Sequence, residues 1–113
     1  MPHLVIEYSE DLAETYDIAA LCQLLFDTAK ASDIFDPATI KVRALPCPYW
    51  RSGTDPQSFA HITIRLMSGR DNLAKTRLTQ SVLAAMDKQL PKVGSLTVDL
   101  KEIDPNTYAK RII

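Results

Sequence analysis

His3-Leu4-Val5-Ile6-Glu7-Tyr8, at the head of the chain, reads as a half-buried strand. Its opening returns at His61-Ile62-Thr63-Ile64, inside a second strand-like run from Phe59 to Met67. Each run leads into a helical pattern and then into another alternating segment. The chain therefore reads as two β-α-β units in tandem.

In the first unit, Ser9, Glu10 and Asp11 are cap candidates for a helix from about Leu12 to Ala31. Ile18, Leu21, Cys22, Leu25 and Thr28 recur at steps of three and four on one face of it. Asp36-Pro37 ends that pattern, and a strand is expected from Thr39 to Leu45. There Ile40, Val42 and Ala44 take one face, while Lys41, Arg43 and Leu45 take the other. Pro46 to Gln57 is a loop. In the second unit, Ser68-Gly69-Arg70-Asp71 is a turn ending in an Asp cap. The helix expected after it, about Asn72 to Leu90, carries a stripe of Leu78, Val82, Met86 and Leu90. Pro91 to Gly94 stops it, and Leu96 to Ile103 is the last strand. A short basic tail with Tyr108 and the apolar Ile112-Ile113 follows Asp104-Pro105.

The expected fold is α/β (α+β): a four-stranded mixed sheet with two helices on one face. Residues 1–113 form one domain, with pseudo-repeat halves about 1–46 and 58–105. The other sheet face, to which Leu4, Ile6 and Leu45 are assigned, is too apolar for water, which points to self-association. A ferredoxin-like domain has the same string of elements, with crossovers that skip a strand position, and serves as a binding module. Fold order alone leaves both open.

Composition removes several functions. Thirteen basic against fourteen acidic residues give a net charge of −1, so no overall field draws nucleic acid or anionic lipid. No apolar run is long enough to span a bilayer, and a cytoplasmic protein is expected. Two cysteines make no disulfide framework. Cys22 belongs to a helix's apolar face, and Cys47 has no activating neighbour in sequence. His3 and His61 lack ligand partners at metal spacing, and three glycines form no phosphate loop.

Pro2 is the candidate catalytic group. Once Met1 is removed, its secondary amine heads a half-buried strand, where desolvation lowers its pKa toward that of a working general base. Lys41 and Arg43, two apart on one strand, share a face. Arg70 follows Gly69 at a turn that can present its guanidinium to an anion. Arg65 reads as a surface charge. Together, Pro2, Lys41, Arg43 and Arg70 suggest a small pocket for a carboxylate-bearing molecule. The cations would hold it, stabilise charge developing on oxygen, and depress the amine's pKa.

Met1-Pro2-His3-Leu4-Val5-Ile6-Glu7, Ile34-Phe35 through Ile40-Lys41-Val42-Arg43, and Phe59-Ala60-His61-Ile62-Thr63 running to Gly69-Arg70 resemble the 5-carboxymethyl-2-hydroxymuconate Δ-isomerases of the tautomerase superfamily. The likeness extends through Leu96-Thr97-Val98-Asp99-Leu100 and Asp104-Pro105. It implies a homotrimer of doubled β-α-β subunits that uses no metal or organic cofactor. Pro2 would be the general base, moving a proton along a 2-hydroxydienoate in homoprotocatechuate and 4-hydroxyphenylacetate breakdown. Arg70 would hold a carboxylate or polarise the oxygen at C2, and Arg43 matches a second basic position. Lys41 stands where the family typically has Arg, keeping the charge but not the planar fork. That departure leaves room for a different enol or 2-oxo acid as substrate. His61 is expected to be structural. Tyr49 and Trp50 either line a pocket or anchor the middle loop.

Overall fold

The computed structural model describes residues Met1 to Ile113. Strand β1 spans His3–Ser9, helix α1 Leu12–Thr15, helix α2 Ile18–Ala31 and strand β2 Lys41–Cys47. Strand β3 spans Phe59–Met67, helix α3 Asn72–Gln89 and strand β4 Ser95–Ile103. The sheet order is β2-β1-β3-β4. β1 runs parallel to β2 and β3 parallel to β4, while β1 and β3 meet antiparallel at the centre. Neither helical crossover skips a strand. That order excludes the ferredoxin-like alternative and establishes the doubled β-α-β sheet.

One expected helix is two. The run from Leu12 breaks at Tyr16, which is extended, and α2 starts afresh from Asp17. The Asp17 carboxylate accepts from the Ala20 amide at 3.0 Å, replacing a partner that the first helical turn lacks. Asp11 precedes α1 but makes no side-chain cap. Ser9 is not a cap either: its buried hydroxyl donates to the Phe59 carbonyl and accepts from the Phe59 amide. It therefore ties β1 to β3.

Parity along the central strands decides the core. Leu4, Ile6, Ile62 and Ile64 are wholly buried beneath α2 and α3, joined by Leu21, Leu25, Leu78, Val82 and Met86. Each such side chain contributes about 1.5–3 kcal/mol of burial. The assignment of Leu4 and Ile6 to the uncovered face is thus corrected. They point at the helices, and the open face takes the odd positions, His3, Val5 and Glu7. Of the three residues expected there, Leu45 alone remains, 48% exposed. The open face is consequently far more polar than the sequence pattern suggested.

Candidate active site

Pro2 sits at the head of β1, where its missing N–H costs no ladder bond. Its carbonyl accepts from the Lys41 amide at 3.1 Å, which ties it to the start of β2. Its side chain is fully buried, with Met1 half-buried above it. The Lys41 ammonium donates to the Met1 sulfur at 3.0 Å and to the Thr39 carbonyl at 3.2 Å. Lys41 therefore reaches toward the chain terminus.

Arg70 arrives from the connection between β3 and α3. Gly69, at φ +122°, adopts a backbone conformation that side-chain-bearing residues rarely take. Asp71 then caps α3 through the Ala74 amide at 2.9 Å. Between these two fixed points the guanidinium donates to the Ile34 carbonyl at 2.8 Å and the Met67 carbonyl at 3.3 Å. It also lies over the Phe35 ring, 5.1 Å from the centroid. Asp33, at φ +60°, turns the chain after α2 and delivers Ile34 and Phe35 to this contact. Two of five N–H donors are engaged, so the fork keeps three for an incoming oxygen.

The charges converge on the N-terminus. Burial, then Arg70, Lys110 and Lys41, push the Met1 amine below the ordinary range of an α-amino group, with Asp36 opposing weakly. The structure thus brings Pro2, Lys41 and Arg70 to one end of the sheet. Arg43 stands apart from this group: its Nη1 lies 3.2 Å from His3 Nδ1, on the open face.

His3 is a site-adjacent residue whose place the sequence did not disclose. A guanidinium only donates, so Nδ1 accepts; in the neutral ring Nε2 then carries the proton, which it donates to the Tyr108 hydroxyl at 2.9 Å. Burial and the charges of Arg43, Lys41 and Arg65 lower its pKa. Across the strands, His3 pairs with Lys41 on one side and Arg65 on the other, and Arg65 pairs with Lys101. This row became visible only with the register. Tyr108 and Lys110 were legible as a basic tail, but nothing in sequence said where that tail goes.

The remaining candidates are structural in their contacts. His61 Nδ1 lies 2.6 Å from the Thr97 hydroxyl on the neighbouring strand. Trp50 donates to the Gln57 carbonyl at 3.1 Å and packs 6.3 Å from Phe59, anchoring the middle loop, whereas Tyr49 is 92% exposed. Cys22 packs against the core, and burial raises its thiol pKa, which makes it a poorer nucleophile. A cleft of about 480 Å³, lined by Asp11, Trp50, Arg51 and Gln57 among others, opens at the far end of the sheet from Pro2.

A buried proline beneath a terminal amine that Arg70, Lys110 and Lys41 act on, at the head of a doubled β-α-β sheet, agrees with one family comparison. The family model for 5-carboxymethyl-2-hydroxymuconate isomerase matches residues 2–112. The chain belongs to that family. Among solved structures, a 5-carboxymethyl-2-hydroxymuconate delta-isomerase superposes with a TM-score of 0.85 at 22% identity, covering 99% of this chain and 88% of the other. A 5-carboxymethyl-2-hydroxymuconate isomerase from Deinococcus radiodurans R1 gives 0.85 at 24% identity, over 97% and 88%. A fused 4-OT wild type symmetric trimer gives 0.80 at 17% identity, over 96% and 90%. No curated protein matches in sequence. This member of the 5-carboxymethyl-2-hydroxymuconate isomerase family is accordingly an isomerase. No helix in it is long and apolar enough to cross a membrane.

Proposed function

We propose that the chain, freed of Met1, isomerises 5-carboxymethyl-2-hydroxymuconate with the Pro2 nitrogen as general base. The observation that carries this reading is the wholly buried Pro2 beneath a terminal amine whose protonation is disfavoured by burial, Arg70 and Lys41. Removing Met1 transfers the amine one residue inward, to the buried position, where the same forces act on it. A neutral secondary amine then exists near neutral pH and accepts a proton.

The reaction moves one proton. Pro2 takes it from the 2-hydroxyl, the C2–O bond becomes a carbonyl, the C2–C3 π pair becomes a C3–C4 double bond, and the C4–C5 π pair is freed at the far carbon. The proton is returned to the far carbon of the diene, leaving the 2-oxo isomer and a neutral Pro2. Arg70, with three free N–H donors, holds the C1 carboxylate or the oxygen at C2, where negative charge gathers. Lys41 supplies a point charge to a second carboxylate, and Arg43, beside it on the strand, extends the positive surface. The substrate is a three-carboxylate anion, which suits such a surface.

The functional unit in this reading is a homotrimer in the cytoplasm, serving homoprotocatechuate breakdown. Support for the trimer comes from the fold it shares with the symmetric 4-OT trimer. Lys41 favours a second substrate reading, a different small enol or 2-oxo acid, because an ammonium lacks the two-pronged geometry of Arg. Ultraviolet monitoring of 5-carboxymethyl-2-hydroxymuconate and of simple enol acids, with untagged protein whose intact mass lacks Met1, tests both. Preferred turnover of the triacid supports the named activity. Equal rates on all substrates argue for the second reading, and full activity with Met1 retained removes Pro2 as base.

A further inference from the structure

Beyond β4 the chain doubles back toward β1. The Asp104 carboxylate accepts from the Asn106 amide at 2.9 Å, and the Asp104 carbonyl accepts from the Thr107 amide at 3.2 Å. This compact turn aims the tail. From Asp104 to Ile113 every residue is exposed except Tyr108. Its hydroxyl lies 2.9 Å from His3 Nε2, and the two rings meet edge-on with centroids 6.1 Å apart. A solvated tail has no cause to spend an aromatic ring and a hydroxyl on the residue next to Pro2. Lys110 follows two residues later, within about 7 Å of backbone from Tyr108.

We propose that residues 104–110 form a strap across the open end of the proline site. In it Tyr108 is the positioning residue, and Lys110 binds one carboxylate of the substrate. The proposal rests on Pro2 as the catalytic base and adds a third cation to the two already placed there. The electrostatics agree, since the charge of Lys110 weighs on the terminal amine ahead of that of Lys41. Arg70, Lys41 and Lys110 then match a trianion in number, so the strap is a device for preferring the triacid over diacids. His3 is part of it: bonded to Arg43 through one nitrogen and to Tyr108 through the other, it joins the strap to the sheet.

Lys110→Met keeps the aliphatic stem and removes the charge, and Tyr108→Phe keeps the ring and removes the bond to His3. Both positions lie outside the core cluster, so both variants are expected to fold with unchanged circular dichroism. With the Met1-free protein, K110M is expected to raise KM for 5-carboxymethyl-2-hydroxymuconate about tenfold, the size of one lost charged hydrogen bond. The change in KM for the diacid 2-hydroxymuconate should stay below twofold. Y108F should shift KM the same way by a smaller factor, and the double variant should fall short of the product of the two. Equal effects on triacid and diacid, or no effect on either, overturn the proposal. Calorimetric binding of propane-1,2,3-tricarboxylate and of glutarate reads the strap without turnover. Weakening of the tricarboxylate alone in K110M sustains the strap even if Pro2 proves not to be the base. No difference between wild type and K110M there refutes the strap while leaving Pro2 untouched.

Discussion

The ammonium of Lys41 lies 3.0 Å from the sulfur of Met1, so the first strand pair directs a cation at the very end of the chain. Met1 thus fills the place that a substrate carboxylate takes in the proposed reaction, and its removal frees both the Pro2 amine and the Lys41 donor. Lys41→Met is expected to lower kcat/KM tenfold to a hundredfold, the range for a lost charge-assisted hydrogen bond. Lys41→Arg should keep kcat/KM within about threefold of wild type. Steady-state kinetics on Met1-free protein check both, and a K41M enzyme as fast as wild type would remove Lys41 from the site.

Arg70 is fixed on three sides, by the carbonyls of Ile34 and Met67 and by the Phe35 ring. Such preorganisation is what stabilises charge in a transition state without reorganisation at the moment of reaction. Arg70→Ala should lower kcat/KM by on the order of 10²–10³. It should also cost about 1 kcal/mol per lost hydrogen bond in urea unfolding. Arg70→Lys should restore little activity, because an ammonium cannot span both carbonyls and still face a ligand. Activity in R70K equal to wild type would contradict this.

His3 has its pKa held below the ordinary value of about 6.5 by burial and by Arg43, Lys41 and Arg65. The unfolded chain therefore binds more protons than the folded one just below pH 6.5. Stability from this residue is present above pH 6.5 and is lost as pH falls toward the folded pKa. His3→Gln keeps a hydrogen-bonding side chain but cannot titrate. Urea midpoints at pH 5 and pH 7.5 should differ less in H3Q than in wild type, and an unchanged difference would count against the assignment.

Asp17 starts α2 afresh after the break at Tyr16. Asp17→Ala is expected to cost about 1 kcal/mol of stability, the ordinary loss for an N-cap, without changing the site. Chemical denaturation measures it, and a variant as stable as wild type would show that the break is held by other contacts.

The doubled β-α-β plan was legible because strand and helix periodicities switch cleanly at Asp36-Pro37, Ser68-Gly69 and Pro91 to Gly94. Pro2, Lys41 and Arg70 were legible as candidates because each stands near the end of an element, and the structure brings all three to one end of the sheet. The break at Tyr16 was not, since Leu12 and Tyr16 fit the helical spacing and only the extended backbone of Tyr16 and Asp17 shows the restart. The face taken by Leu4 and Ile6 was misassigned because parity names two faces without saying which one the helices cover. The pairing of His3 with Tyr108 depends on residues 105 positions apart, and no local pattern encodes that contact.

A direct measurement remains for the Pro2 nitrogen. In Met1-free protein labelled with ¹⁵N-proline, the Pro2 nitrogen shift is followed against pH beside the pH dependence of kcat/KM. The titration midpoint should lie below that of an exposed N-terminal proline in a short peptide, and should coincide with the acid limb of kcat/KM. A midpoint equal to the peptide's, or an acid limb that ignores it, would contradict proline catalysis in this chain.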